Sequence, residues 1–440
     1  MDDHDGLWRR ELSRRDCLKL SGLVLGGLAL GSKPAFAESL FARAGVAPQR
    51  LGNGVDYWAP WVTKLSTTSA TINWRGDVDG SGSVDYATSS YFKRHRRYCH
   101  TVDARVAAQY QHVRLRGLEP NAKYVYRVRL SDGTNVFEGR SFRTMPLSGP
   151  FTFIVISDSQ EGSKYEETDR FAYVAAAIAQ EPDALFVLHG GDYARFDDET
   201  KWTTFFDVAD GMLARFPIFT TIGNHEYHSY GNSQGPPTAA VQYNSAFDVP
   251  LHYSFDCCGV RFISLDSPDP TNANEDDPQT SLALAQSQQS WLRDQLRHAK
   301  RGVFTIQHHP IWGLGSTTPN PDLQPWETLY HAYPISASFA GHIHNYERFR
   351  VQGIPYLVLG TAGGPCEDID HTAPAPVWYR RGETRKLAYL KVTVDPARNK
   401  ATARQIAVGQ VAGDNDDETP LIYDSPVNDD VASFALSTRR

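Results

Sequence analysis

The chain has 440 residues, long enough for two or three domains and a large buried core. Hydrophobic residues make up 41% and charged residues 22%, ordinary globular values that set aside a fibrous or wholly disordered chain. The formal net charge of -7 gives no overall basis for binding nucleic acid, and no such partner is expected.

The N-terminus reads as a removable targeting segment over residues 1–37. Ser13-Arg14-Arg15-Asp16-Cys17-Leu18-Lys19-Leu20 precedes a Gly/Leu/Ala/Val run from about Ser21 to Gly31, and Ala35-Phe36-Ala37 offers a small-x-small cleavage site. Paired arginines before a modest apolar run resemble a twin-arginine export signal, which implies the twin-arginine machinery as a partner and a periplasmic or secreted mature chain. The run is too short to span a bilayer, and no later segment is long and apolar enough, so no stable membrane anchor is expected. Cys99, Cys257, Cys258 and Cys366 follow the segment. An oxidising compartment permits disulfides, but spacing assigns no pairing, and no Cys-x-x-Cys suggests a zinc knuckle.

Residues 55–146 contain short β-branched and aromatic runs broken by turn residues, such as Ala70-Thr71-Ile72-Asn73-Trp74, Val113-Arg114-Leu115-Arg116 and Tyr124-Val125-Tyr126-Arg127-Val128. That pattern predicts a small all-β sandwich. Leu118-Glu119-Pro120-Asn121-Ala122-Lys123-Tyr124 looks like a tyrosine corner, with the Tyr124 hydroxyl tied to the backbone upstream. The segment is similar to a fibronectin type III domain.

After a Leu147-Ser148-Gly149-Pro150 linker the pattern changes. Phe151–Ile156, Ala184–Leu188, Pro217–Ile222, Val260–Leu265, Val303–Ile306 and Tyr356–Leu359 read as buried strands, and Ala172–Gln180 and Ser287–Lys300 as helices. Buried strands alternating with helices predict an α/β domain, in α/β/β/α layers, over residues 151–411. Residues 412–440 are acidic and contain Ser, Asn and Pro, and read as a C-terminal tail.

Five segments, each directly after a strand candidate, carry the chemistry: Asp158-Ser159-Gln160, Gly191-Asp192-Tyr193, Gly223-Asn224-His225-Glu226, His308-His309-Pro310 and Gly341-His342-Ile343-His344. Ligands in open α/β sheets bind beyond the carboxyl ends of strands, where such loops converge. Hydrolysing a phosphate ester needs a nucleophile at neutral pH and compensation for charge on the phosphoryl oxygens, and two metal ions supply both. A carboxylate suits the bridging position, and imidazoles and an amide suit the flanks of Fe, Zn or Mn.

In this order the five motifs resemble those of the calcineurin-like metallophosphoesterases, and within them the purple acid phosphatase branch. Gly341-His342-Ile343-His344-Asn345-Tyr346-Glu347-Arg348 and Gly360-Thr361-Ala362-Gly363-Gly364 are close to that branch, whose usual companion is a fibronectin-like front domain. The resemblance implies a four-layer metallophosphoesterase domain behind the sandwich, with two divalent or trivalent ions. It implies that Asp192 bridges the ions, that Asp158 and His344 hold the first, and that Asn224, His308 and His342 hold the second. Asn224 also meets the substrate, and His225 protonates the leaving group or stabilises the phosphoryl charge. His309 is the runner-up for the role of His308, or its support.

Two positions depart from the branch. Its tyrosine ligand falls three residues after the bridging aspartate, where this chain has Arg195, which cannot coordinate a metal. Tyr193 lies one residue after Asp192, where strand-to-loop geometry aims it elsewhere. Other metallophosphoesterases place a histidine two residues after the first aspartate; here stands Gln160, whose amide oxygen is a weak neutral ligand. Arg195 is instead a candidate to grip substrate through its planar fork. The expected function is hydrolysis of small phosphate monoesters, with a phosphodiesterase or phospholipase-type esterase as the alternative and a non-catalytic cell-envelope binding protein behind both. Acid-phosphatase behaviour does not follow, because Gly313 to Asp322 lacks the histidines with which the branch often contacts phosphate.

Overall fold

The computed structural model describes residues 57–76, 80–131, 136–160, 170–227, 240–267, 278–314, 319–369, 375–411 and 420–436. The export segment expected at 1–37 lies outside them. Among the described residues no helix is long and apolar enough to cross a membrane.

The front of the chain is an all-β sandwich. Its strands are β1 (Trp58–Thr63), β2 (Ser69–Arg75), β3 (Gly82–Thr88), β4 (His100–Asp103), β5 (Tyr110–Arg116), β6 (Lys123–Leu130) and β7 (Val136–Arg143). They form two antiparallel sheets, β1-β2-β5 and β4-β3-β6-β7. Along β6, Tyr124, Tyr126, Val128 and Leu130 are buried while the residues between them are less so, the period-2 signature of a half-buried strand. They meet Val62, Ile72 and Leu115 of the other sheet in one core. The tyrosine corner is present: the backbone N–H of Glu119 donates to the Tyr124 hydroxyl at 2.9 Å.

The second domain stacks two sheets between helices. The first sheet runs β10 (Ile218–Thr220), β9 (Ala184–His189), β8 (Phe151–Ile156), β18 (Lys386–Asp395), β19 (Lys400–Gln410), β20 (Leu421–Ala435). The second runs β11 (Tyr253–Cys257), β12 (Val260–Ser264), β13 (Val303–Ile306), β14 (Ala337–Ala340), β16 (Ile354–Leu359), β15 (Tyr346–Val351), β17 (Tyr379–Glu383). The buried strand β8 explains the layering. Phe153 and Val155 point into the inter-sheet core with Phe262, Phe304 and Phe339. Ile154 and Ile156 point the other way, onto α2 (Phe171–Ile178), α3 (Glu199–Leu213) and α4 (Val241–Phe247). The outer face of the second sheet is covered by α5 (Pro278–His298) and α6 (Gln324–Ala332) through Leu292, Leu296, Trp326 and Leu329. Among the described residues one further α-helix, α1 (Ser89–His95), belongs to the sandwich. The result is the α/β/β/α arrangement expected from the sequence.

The domains meet across β1 and α3. Trp58 stacks on Phe206 with ring centroids 4.5 Å apart, and its indole N–H donates to Thr203 Oγ1 at 2.8 Å. Arg140 and Asp210 form a buried ion pair across the same seam.

The tail expected at 412–440 is corrected in part. Residues 421–435 form β20, antiparallel to β19 from Gln410↔Leu421 to Lys400↔Ala435. Most of its residues face solvent from a sheet edge, so composition hid the strand. Of its acidic residues, Asp424 is exposed, Asp429 pairs with Lys386 at 3.6 Å, and Asp430 is buried and held by the Arg348 fork at 2.7 and 3.1 Å.

Candidate metal centre

The parallel strands β8, β9 and β10 of the first sheet, and β12, β13, β14 and β16 of the second, end on one face. Loops leaving those ends bring together all seven side chains named as ligands. Ligand atoms of Asp158, Asp192 and His308 lie within 4.8 Å of one another.

The backbone is set unusually to do this. Asp158, Asp192 and His342 adopt left-handed φ values of 60°, 57° and 71°. For non-glycine residues this costs roughly 1–3 kcal/mol each and persists only where the surroundings enforce it. They do: Asp158 N–H donates to Gly191 O at 3.1 Å, Ser159 N–H to Asp192 O at 2.9 Å, and Gly341 N–H to His308 O at 2.8 Å. Gly223 is required by proximity, since a Cβ there would collide with the Asp192 carboxylate and backbone.

Two ligand groups flank Asp192. On one side, His308 Nε2 lies 2.9 Å from Asn224 Oδ1 and 3.2 Å from Asp192 Oδ2, and His342 Nδ1 lies 3.1 Å from Asn224 Oδ1. On the other, His344 Nε2 lies 3.4 Å from Asp158 Oδ1 and 3.1 Å from Gln160 Nε2, whose amide also donates to Asp192 Oδ2 at 3.2 Å. Gln160 Oε1 is buried with no hydrogen-bond partner among the described residues. A half-turn of that amide would put the orphaned oxygen where a cation's ligand belongs, and O and N of a glutamine are interchangeable by such a turn.

The electrostatics fit a cation. Burial works against charge on His308 and His344, but Asp192 and Asp158 outweigh it and hold each imidazole up at about 9. Two carboxylates here share protons with two imidazoles, and a metal would displace those protons. Burial and the neighbouring His308 push His342 down to about 4, leaving a neutral imidazole suited to ligation. The outer nitrogens are fixed: His308 Nδ1 donates to Gly190 O at 2.9 Å and His344 Nδ1 to Pro365 O at 2.5 Å, which aims each Nε2 inward.

His225 is partly exposed, with Nδ1 donating to Arg195 O at 2.6 Å and Nε2 3.8 Å from Asp192 Oδ2. The Arg195 carbonyl therefore orients His225, while its guanidinium carbon lies 5.6 Å from the Phe196 ring centroid. His309 takes the supporting place. Ser267 Oγ lies 3.3 Å from its Nδ1, and its ring centroid is 4.2 Å from that of His342. Tyr193 points away from the centre, fully buried, and stacks on His189 at 3.9 Å.

Sequence reading gave no role to two residues that build the site. Glu226 is 1% exposed and accepts the N–H of Asp192 and Tyr193 at 2.9 Å each and of Gly223 at 2.8 Å. It ends the Gly223-Asn224-His225-Glu226 motif, and only the folded loops bring the amides around its carboxylate. His189 receives the Gly191 N–H at Nδ1 (3.3 Å) and sits with Nε2 2.9 Å from Ser159 Oγ. Burial pushes it down to about 3, which keeps Nδ1 an acceptor. Nothing in its apolar strand marks it.

Comparison with known proteins identifies the domains and the fold. The family profile described as Calcineurin-like phosphoesterase matches residues 151–346, and that of the Purple acid Phosphatase, N-terminal domain, matches residues 59–144. The chain thus carries a calcineurin-like phosphoesterase domain behind the N-terminal domain of purple acid phosphatases. Probable purple acid phosphatase 20 of Arabidopsis thaliana is 27% identical over 314 residues, which is 66% of this chain and 65% of that protein, just under two thirds of its length. Purple acid phosphatase 5 of the same plant is 24% identical over 381 residues, 81% of this chain and 83% of that protein. The fold is similar to purple acid phosphatase PPD1 from yellow lupin (Lupinus luteus), with a TM-score of 0.63 at 17% identity over 86% of this chain and 74% of that one. It is similar to PhoD to the same extent, with a TM-score of 0.63 at 16% identity over 85% and 90%.

Proposed function

We propose that the chain is an exported, metal-dependent phosphatase that hydrolyses small phosphate monoesters at a two-metal centre. One observation carries the reading: the Asp192 carboxylate stands between two ligand groups, 3.2 Å from His308 Nε2 and 3.2 Å from the Gln160 amide. Asp158, Gln160 and His344 would hold one ion, and Asn224, His308 and His342 the other, with Asp192 shared. Fe, Zn or Mn match this mixture of imidazole, carboxylate and amide. Bound there, the ions supply an activated nucleophile at neutral pH and neutralise charge on the phosphoryl oxygens.

The protein's own groups do the rest. Nδ1 of His225 is committed to the Arg195 carbonyl, so its Nε2 faces the site and can give a proton to the departing alkoxide oxygen. With its Oδ1 turned to the imidazoles, Asn224 keeps its amide N–H groups for a phosphoryl oxygen. The left-handed loops preset these positions before substrate arrives. Export rests on the paired arginines and cleavage site within residues 1–37.

The test is to measure bound metals in the mature chain and compare hydrolysis of p-nitrophenyl phosphate with that of bis(p-nitrophenyl) phosphate across pH. Monoester turnover that tracks metal content is the expected result. A filled site that turns over neither ester would sink the phosphatase reading, and preference for the diester would move it to a phosphodiesterase.

A further inference from the structure

The sandwich carries a cationic face that plays no part in the chemistry above. Lys93-Arg94-His95-Arg96-Arg97 runs through the end of α1, and all five residues are exposed in a chain whose net charge is -7. Among the described residues no carboxylate pairs with Lys93, Arg94 or Arg96. Arg96 closes the helix in the left-handed region at φ 54°, donating its N–H to Phe92 O at 2.8 Å. Glycine is the residue that fits this cap without strain, so an arginine there is held against local preference.

The run borders a cavity of about 610 Å³ lined by Arg96, Arg97, Arg127 and Arg129, with Phe92 and Tyr98 as ring walls. Its acidic counterparts are Asp85 and Glu138. Asp85 engages Arg127 and Arg129 at 2.8 Å each, and Glu138 engages Arg127 at 3.2 Å. Among the described lining residues, four guanidinium groups against two carboxylates leave an excess of positive charge in a concave site. The Arg127 guanidinium carbon lies 4.9 Å from the Tyr98 ring centroid. Positive charge continues around the domain: burial, with Arg215, Arg143 and Lys93 nearby, pulls the Lys123 ammonium below its ordinary range.

We propose that this face docks inorganic polyphosphate, a linear polyanion of phosphate groups that carries no bases. Arginine forks match phosphate oxygens, and a cationic groove with aromatic walls tracks a chain of them. A flat bilayer fits less well. The exposed large apolar residues among those described are Val106, Leu147, Val241, Val377, Leu421, Val427 and Val431, and none lies between Ser89 and Asp103 to insert among lipid chains.

The surface is also remote from the metal centre. Lys123 pairs with Arg143 in the sandwich sheet, and Ser141 N–H donates to Ala214 O, next to Arg215. Arg215 precedes β10, at the amino ends of the parallel strands, whereas the ligand loops leave their carboxyl ends. A polymer held here leaves the catalytic face open to solvent. The proposal therefore stands whether or not the phosphatase reading does.

The test uses the intact purified chain and long-chain inorganic polyphosphate as probe, with binding followed at about 50 and about 200 mM salt. Tight binding that weakens at least about tenfold between those salts is expected, because each cation engaged releases a counterion. Two variants locate it: the triple Lys93→Ala/Arg94→Ala/Arg97→Ala, and Arg96→Gly, which relieves the left-handed cap and so keeps the fold. Both should lose affinity while p-nitrophenyl phosphate hydrolysis stays unchanged. Repeating the titration in Asp192→Asn removes any turnover of the probe. Equal binding by both variants would overturn the proposal. So would a tenfold preference for a single-stranded oligonucleotide, which would make the face a nucleic-acid reader, or capture by anionic vesicles alone.

Discussion

The Glu226 carboxylate accepts the backbone N–H of Asp192 at 2.9 Å, so the residue placed between the two ligand groups is held in its left-handed conformation from a neighbouring loop. The same carboxylate takes the N–H groups of Tyr193 and Gly223, and ties the two loops together. Glu226→Ala would orphan three buried N–H groups at about 1–3 kcal/mol each. It should lower the thermal midpoint and weaken metal binding together, read by calorimetry and metal titration. A variant that keeps wild-type metal affinity would show that the loop is held otherwise.

Tyr193 is buried and stacked on His189, with its hydroxyl donating to Thr221 O at 3.2 Å. It cannot act as a phenolate ligand from there. An iron-loaded protein should therefore lack the intense visible band of a phenolate bound to ferric iron. Tyr193→Phe should leave the visible spectrum unchanged and cost about 0.5–1.5 kcal/mol of stability. A strong band abolished by that substitution would refute the placement.

His225 and Arg195 divide one task. Among the described residues, the carbonyl of Arg195, not its fork, is the group that contacts a site residue. Arg195→Ala should keep the Michaelis constant for p-nitrophenyl phosphate, whereas His225→Ala should reduce kcat by about 10²–10⁴-fold through loss of proton transfer. A large rise in KM for Arg195→Ala would restore the substrate-gripping role anticipated from the sequence.

Asp85 gives a pH signature in the sandwich. Burial raises its pKa, but hydrogen bonds from Arg129, Thr101 and Arg127 outweigh this and hold it at about 2. Its folded value is thus below its unfolded value of 3.8. The stability it contributes is present above about pH 4 and is lost as the pH falls toward 2. Asp85→Asn should cost about 1–2 kcal/mol at neutral pH, allowing for solvent screening, and the deficit should shrink between pH 4 and 2. Parallel melting curves for the two proteins across that range would contradict the ion-pair account.

Much of this was legible in the sequence, for identifiable reasons. Strands buried on both faces, such as Phe151–Ile156 and Val303–Ile306, announce themselves as apolar runs, and the candidate ligands follow such strands directly. Hidden elements lacked that signal. Lys400–Gln410 alternates with polar residues, Leu421–Ala435 is an acidic edge strand, and α3 starts at an Asp198 cap within a polar stretch. Tyr193's direction followed from its offset of one residue from Asp192. Glu226 and His189 escaped because their work is to hold backbone amides and neighbouring side chains, which only the assembled loops reveal.

The central claim is that Asp192 unites two ligand groups into one two-metal centre. The most direct measurement is metal stoichiometry of Asp192→Asn beside its rate on p-nitrophenyl phosphate. The account predicts that wild-type protein binds two ions per chain, and that the variant fails to hold the pair and loses at least about 10³-fold in kcat. A variant that keeps both ions and near-normal turnover would contradict it.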